Sequence, residues 1–293
     1  MSEHAASENG DSTHGNAARV WLISGCSSGF GRELAKAALA RGERVVAGAR
    51  RVEDLSELLA LGGERVAGVT LDVTRAAHCT AAVHEGVTRF GRIDGVINNA
   101  GYGIVGALED TPEADLRHNF ETNFFGAVNL TRAALPSLRG QRSGVIVNIS
   151  AAAAISNYAG FGAYGASKAA LEFASEALRE ELRGFGIRVM VVQPGPFRTD
   201  FISRSLKRVA CSQPEYEASV GKFAAMLGKM SGRQTGDPAK AAGVILDAAC
   251  SENPPLRLVL GKYAQDKVRR KTAATLAELE TWGPAGAATD FSA

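Results

Sequence analysis

A tyrosine and a lysine stand four residues apart in Tyr164-Gly165-Ala166-Ser167-Lys168. On a helix this spacing puts both side chains on one face. A phenol is a poor acid at neutral pH, because its unperturbed pKa is near ~10. An ammonium alongside favours the phenolate and lowers that value. The pair can therefore give or take a proton near neutrality. The spacing alone arises by chance in many helices. Its weight comes from its place, after a strand and downstream of a glycine-rich loop suited to a nucleotide.

That loop is Gly25-Cys26-Ser27-Ser28-Gly29-Phe30-Gly31. Residues 19–24 before it read as a buried strand. Residues 32–41 after it read as a helix with Leu34, Ala35, Ala38 and Leu39 facing inward. Strand, glycine turn and helix together place a pyrophosphate on a helix N-terminus. Gly25 suits the tight turn, Gly29 a close approach of backbone to phosphate, and Gly31 close packing of helix on strand. Ser27, Ser28 and Phe30 fill the positions between.

The elements that must carry these residues alternate along the chain. Strands are predicted at 19–24, 44–49, 66–71, 93–98, 144–150, 187–192 and 256–260. Helices are predicted at 29–41, 52–61, 75–90, 112–138, 162–184 and 237–251. Runs such as Val189-Met190-Val191-Val192 suit strands buried on both sides. The pattern predicts an α/β fold: a Rossmann-type, doubly wound parallel sheet of about seven strands with helices on both faces. Thr111-Pro112 and Asp237-Pro238 read as cap and first helical residue. Pro136 is expected to end or kink its helix. Gly184 and Gly186 are expected to close the helix that carries Tyr164.

Residues 1–17, rich in Ser, Glu, Asn, His and Gly, read as a disordered tail, with His4 and His14 solvated rather than ligating. Residues 18–293 read as one catalytic domain, with a substrate lid at about 197–236 and a C-terminal helical extension at about 262–293. Phe223, Met226, Leu227 and Met230 form an apolar helix face in that lid, suited to pocket lining or to plain packing. Arg198, Arg204, Lys207 and Arg208 read as a solvated face or as cations that attract an acidic substrate. Hydrophobic residues are 45% and charged residues 22% of the chain, and the net charge is +2. Nothing there calls for nucleic acid, and no apolar run is long enough for a membrane span. The N-terminus lacks a signal-peptide core. Four scattered cysteines fit a reduced, cytoplasmic protein with no metal centre. Cys26 reads as a loop filler on the substrate side.

Six motifs in register carry a resemblance to the short-chain dehydrogenase/reductase family. They are Gly25-x-x-x-Gly29-x-Gly31, Asp72-Val73, Asn98-Asn99-Ala100-Gly101, Asn123, Tyr164-x-x-x-Lys168 and Pro194-Gly195-Pro196-Phe197-Arg198-Thr199. They span residues 19 to about 200. The resemblance implies strand order 3-2-1-4-5-6-7 and a nicotinamide cofactor. It implies that Asp72, followed by Val73, bonds the adenine, and that the turn Asn98-Asn99-Ala100-Gly101 lies under the adenosine ribose. Thr199 would bond the carboxamide on a backbone shaped by Pro194 and Gly195, with Phe197 between. Tyr164 would exchange the proton, Lys168 would bond the nicotinamide ribose, and Asn123 would hold a water that relays protons to Lys168. The resemblance also implies a homodimer or homotetramer paired through the helices that hold Asn123 and Tyr164. Phe173, Ala174 and Ala177 suit such a contact, or else face the sheet.

The end of the second predicted strand bears on the choice of cofactor. NAD-dependent relatives carry an acidic residue where this chain has Ala49. Arg50 and Arg51 follow, and a guanidinium can bind phosphate in a bidentate way. NADP(H) is the expected cofactor. The family's catalytic serine stands thirteen residues before the tyrosine, and here that position is Ala151. Ser150 precedes it and is the nearest candidate. One step along a strand reverses the face, so Ser150 replaces it only if the strand end is bulged. Ser156, Asn157 or Tyr158 could supply the hydroxyl or amide instead. The expected activity is NADPH-dependent reduction of a carbonyl on a small molecule, or the reverse oxidation. The alternatives are an NADP(H)-binding regulatory or scaffold protein, and non-redox acid/base chemistry such as cyclisation or elimination.

Overall fold

Seven apolar runs become strands because their residues can be covered from both sides. They are β1 (Val20–Ser24), β2 (Arg44–Ala49), β3 (Val66–Thr70), β4 (Gly95–Asn98), β6 (Gly144–Ile149), β7 (Ile187–Pro194) and β9 (Arg257–Leu260). Every residue of β1, β4 and β6 is buried. The computed structural model describes residues 18–291. The tail expected at residues 1–17, with His4 and His14, lies outside them.

The seven strands form one parallel sheet in the order β3-β2-β1-β4-β6-β7-β9. This is the order the resemblance implied. The order reverses between β1 and β4, where the carboxyl ends of the strands open a crevice. One face is covered by α1 (Gly29–Ala40) and α10 (Pro238–Cys250), which pack Leu34, Ala38, Ile245 and Leu246 against Ile23, Val45 and Ile97. The other face is covered by α3 (Ala76–Phe90), α5 (Gly126–Gln141) and α7 (Gly162–Leu182), with Val83, Leu130, Leu138 and Leu182 packed on Val20, Leu22 and Ile146. Gly95 admits the Trp21 ring: a Cβ there would fall 2.2 Å from it.

The helix expected over 112–138 comes in pieces. α4 (Glu113–Phe120) leads into a π-helical turn, Glu121–Phe125, and then into α5. Such insertions often mark functional sites, and this one carries Asn123. Thr111 does not cap α4. Its hydroxyl donates to the Ala107 carbonyl at 2.9 Å, and Pro112 takes the cap position. Pro136 does not end α5, which runs on to Gln141 because Leu130, Ala134 and Leu138 hold its inner face on the sheet. Asp237 does cap α10, accepting from the N–H groups of Ala239 and Lys240.

Several elements carried no readable signal. A small parallel pair joins β5 (Gly103–Val105) to β8 (Leu206–Arg208). Short helices α6 (Ala152–Ile155) and α8 (Phe201–Arg204) fill connections, whereas the helix expected over 52–61 forms as a 3-10 turn, Val52–Leu55, leading into α2 (Ser56–Gly62). In the segment over the crevice, α9 (Val220–Met230) forms as expected, and α11 (Lys262–Ala287) follows β9.

Candidate active site

The crevice at the strand ends deepens into a cavity of about 750 Å³. One half is glycine-rich and polar, and the other is aromatic. The first half begins where β1 turns into α1. Gly25 has φ +74° and Gly29 φ +56°, conformations that favour glycine. Ser27, Ser28 and Phe30 line the cavity beside them. Gly31 does not reach it. A Cβ there would lie 2.3 Å from the Gly25 carbonyl oxygen, so Gly31 serves the packing of α1 on the loop. Cys26 also turns away. It is fully buried in the core, donates to the Ile23 carbonyl at 3.1 Å, and burial pushes its thiol up to about 12. The expectation that it faces the substrate is corrected.

Ala49, Arg50, Asp72 and Val73 continue the polar half. Partial burial opposes the charge on Asp72. Hydrogen bonds from the Thr74 hydroxyl (2.7 Å) and N–H (3.1 Å) outweigh it and hold the carboxyl below its usual range, with Arg50 adding to the effect. Arg51 is not part of the site. One residue on from Arg50, it turns outward and pairs with Asp54 at 2.8 Å. The turn after β4 divides in the same way. Asn99, Ala100 and Gly101 line the cavity, and the Asn99 amide donates to the carbonyls of Ser24 and Gly25. Asn98 points behind the sheet, where its amide donates to Asn148 (2.7 Å) and Thr131 (2.9 Å). Asn98 therefore acts on the core and not on a ligand, because alternate residues of a strand face opposite ways. Pro194, Gly195, Phe197 and Thr199 close this half, with the Phe197 ring 5.1 Å from that of Phe30.

Tyr164 and Lys168 sit on one face of α7, at the junction of the two halves, and both are buried. Burial lowers the Lys168 pKa to about 8, against an opposing pull from Glu172. Its Nζ donates to the Ile149 carbonyl at 2.8 Å. Burial pushes the Tyr164 phenol up, the reverse of the direction expected from the lysine alone. Low-dielectric surroundings outweigh an ammonium that is turned to a backbone carbonyl. Asn123 lies behind Gly101. It donates to the Tyr102 carbonyl (2.9 Å) and Ser167 (2.9 Å) and accepts from the Tyr102 N–H (3.0 Å).

Ala151 lines the cavity in a cluster with Tyr164 and Phe161. Ser150 does not replace the missing hydroxyl. It lines the cavity beside Ala151, but its hydroxyl is buried and donates to Glu172 Oε1 at 2.5 Å. Glu172 is buried and also accepts from Gln193 (2.7 Å) and Arg257 (3.4 Å). Asn157 is tied beneath α7, donating to the Phe161 carbonyl at 3.1 Å. Of Ser156, Asn157 and Tyr158, only Tyr158 reaches the cavity.

The aromatic half was mostly missed from sequence. Phe161 and Phe201 stand 5.1 and 5.5 Å from the Tyr164 ring, centroid to centroid, and Phe223 packs on Phe161 at 4.8 Å. Phe223, Met226, Leu227 and Met230 all line the cavity, so the apolar face of α9 does line the pocket. Tyr263 of α11 reaches the rim. A signal for it was present: Tyr263 and Lys267 repeat the spacing of Tyr164 and Lys168.

A family model described as short chain dehydrogenase matches residues 19–209. The chain is 39% identical over 265 residues to oxidoreductase BOA17 of Botryotinia fuckeliana, covering 90% of this chain and 96% of that one. It is 35% identical to a 3-ketodihydrosphingosine reductase of Bacteroides thetaiotaomicron, covering 84% and 89%. A solved short-chain dehydrogenase from Streptomyces avermitilis superposes with a TM-score of 0.88 at 43% identity, covering 94% and 99%. Among other solved structures of this fold, one is in complex with NAD and others hold NADP or a derivative of it.

Proposed function

The chain belongs to the short chain dehydrogenase family, oxidoreductases that use a nicotinamide cofactor, and from that premise we propose that it reduces a carbonyl on an apolar small molecule with NADPH. The observation that carries this reading is the placement of Tyr164 and Lys168 where the polar and aromatic halves of the cavity meet. The cofactor, when bound, supplies the hydride. The polar half fits such a group: left-handed glycines at the α1 N-terminus suit its phosphates, and Asp72 suits its adenine. Tyr164 delivers the proton to the carbonyl oxygen, and Lys168 orients the ribose and holds positive charge near the phenol. A Cβ on Gly101 would stand 2.8 Å from Asn123 Oδ1 and 3.2 Å from Lys168 Nζ. The glycine thus leaves room for a water that links the two and resupplies the proton. Turnover of NADPH against a panel of ketones, with NADH in parallel, tests the reading.

Ala151 supports a second reading, in which the chain binds NADP(H) without efficient redox chemistry or uses Tyr164 in an elimination or cyclisation. Product formed without cofactor oxidation would favour the non-redox form. Binding without any product would favour the regulatory one.

NADP(H) over NAD(H) rests on Ala49, which carries no charge against a 2′-phosphate, and on Arg50 at the cavity wall. Arg50→Asp should weaken NADPH binding by roughly 1.5–3 kcal/mol, through lost charged hydrogen bonds and added repulsion. Fluorescence titration of NADPH checks it, and unchanged affinity would remove Arg50 from the phosphate site. The four cysteines are all free, which fits a reducing, cytoplasmic setting.

Assembly is proposed as a two-fold homodimer or a tetramer. Phe173 is 71% exposed on α7, with Ala177 exposed beside it, and Phe125 is 45% exposed where the π-turn enters α5. These residues therefore face away from the sheet, and a second copy would cover them. Light scattering at micromolar concentration should report at least a dimer, and a monomer would overturn the assignment.

A further inference from the structure

Tyr263-Ala264-Gln265-Asp266-Lys267, in the first turns of α11, is a second Tyr-x-x-x-Lys unit that the proposed chemistry leaves unused. Tyr263 lines the rim of the cavity, and its hydroxyl is hydrogen-bonded to that of Tyr158. Two phenols that share one hydrogen bond spend one of their two O–H donors on each other. The second O–H remains to donate to something else.

The Tyr158 ring is held on both faces. It stacks on Phe223, with centroids 4.9 Å apart and planes within 10°. Lys267 Nζ stands 3.4 Å from its centroid. An ammonium does not fit inside a 4.9 Å stacking gap, so Lys267 occupies the face opposite Phe223. Lys267 is only 5% exposed, and its Nζ has no hydrogen-bond partner among the described residues. A buried cation held only by a π-face is costly, and burial lowers its pKa to about 8. An acceptor, above all an anionic one, at the nearby free O–H would offset that cost.

This polar point is set apart from the reacting phenol. Phe161 packs against both rings, its centroid 6.2 Å from that of Tyr158 and 5.1 Å from that of Tyr164. The cavity wall they share is aromatic, lined by Phe161, Phe201 and Phe223. We propose that Tyr158 and Tyr263 form a distal recognition point for a second acceptor oxygen, a carboxylate above all, on an otherwise apolar or aromatic carbonyl substrate. Lys267 is the positioning residue that fixes the Tyr158 ring and supplies positive charge. The inference deepens the carbonyl-reductase reading and rests on it, because the cavity must be the substrate pocket.

The test uses matched ketones: 4-acetylbenzoate against 4-methylacetophenone, and the corresponding pair lengthened to a biphenyl. The full-length protein with NADPH should prefer the acid of at least one pair. Tyr158→Phe and Tyr263→Phe should each cut that preference, the ratio of the two kcat/KM values, by about five- to tenfold. The methyl ketone should lose much less than the acid, and Lys267→Met should lower the preference in the same direction. A latch that merely fastens α11 would reduce both ketones alike. Equal losses on both, or an unchanged ratio in both phenylalanine variants, would overturn the assignment. Calorimetric Kd values for the same ligands on NADPH-loaded protein are measured in parallel. If the parent turns over neither ketone, the reductase reading fails on its own, and the Kd ratios still decide the distal point. A ratio that falls in the variants supports it, and identical ratios in parent and variants end it.

Discussion

Replacing Tyr164 with phenylalanine is expected to abolish measurable ketone reduction while leaving NADPH binding in place. The phenol is the group placed to protonate the substrate oxygen, and a positioned proton donor contributes about 10²–10⁴ in rate. The ring is buried among Phe161, Phe201 and Leu227, so phenylalanine fills the same volume and the fold should tolerate it. The loss then reads out the proton and not the packing. Burial raises the phenol's pKa, so the proton is in place at neutral pH but its release must be assisted by a neighbouring positive charge. Lys168, with its pKa lowered to about 8, still carries most of its charge at pH 7 and can stabilise the phenolate that forms. NADPH oxidation and cofactor titration on the same preparation check both halves of the expectation. Full activity in the phenylalanine variant would sink the mechanism, whichever substrate is used.

The sheet and the nucleotide half of the site were legible because they rest on local rules. Apolar runs such as Val145-Ile146-Val147 can only be strands when buried on both sides, and a loop that needs φ > 0 at Gly25 and Gly29 announces itself through glycine. What failed was orientation at single residues. Asn98 and Asn99 are adjacent, yet one bonds Asn148 inside the core and the other lines the cavity. Arg50 and Arg51 divide likewise. A motif gives neither the phase of a strand end nor the direction of the side chain beyond it. The aromatic half was obscure for another reason. Tyr158, Phe161, Phe201, Phe223 and Tyr263 come from five separate stretches of chain, and only the tertiary fold brings them together. Pro136 shows packing overriding local preference. The inner face of α5 keeps the helix going through a proline.

Ala151→Ser is the change expected to raise activity most. A hydrogen-bond donor aimed at the reacting oxygen is worth about 10²–10³ in rate, or ~2.7–4 kcal/mol. At the sequence level this gain depended on whether a neighbour already filled the role, and the geometry removes most of those neighbours. Ser150 spends its hydroxyl on Glu172, with its own N–H bound to the Val192 carbonyl at 2.8 Å, so β6 ends without a bulge. Asn157 is bound to the Phe161 carbonyl, and Ser156 stands off the cavity wall. Tyr158 reaches the cavity, but its hydroxyl is engaged with that of Tyr263 at the rim. Ala151 itself faces the cavity in the cluster that holds Tyr164, so a serine there would point its hydroxyl toward the reacting centre. The variant should therefore recover a sizeable part of the 10²–10³ factor in kcat on a simple ketone, with the cofactor Kd unchanged. The measurement is turnover of the parent, the serine variant and the Ala151→Ser, Tyr164→Phe double variant on one substrate. The gain must vanish in the double variant, because the added hydroxyl assists a transfer that Tyr164 performs. A serine variant no faster than the parent would mean that a group on the substrate already meets the oxygen. A gain that survives loss of the phenol would place the chemistry elsewhere.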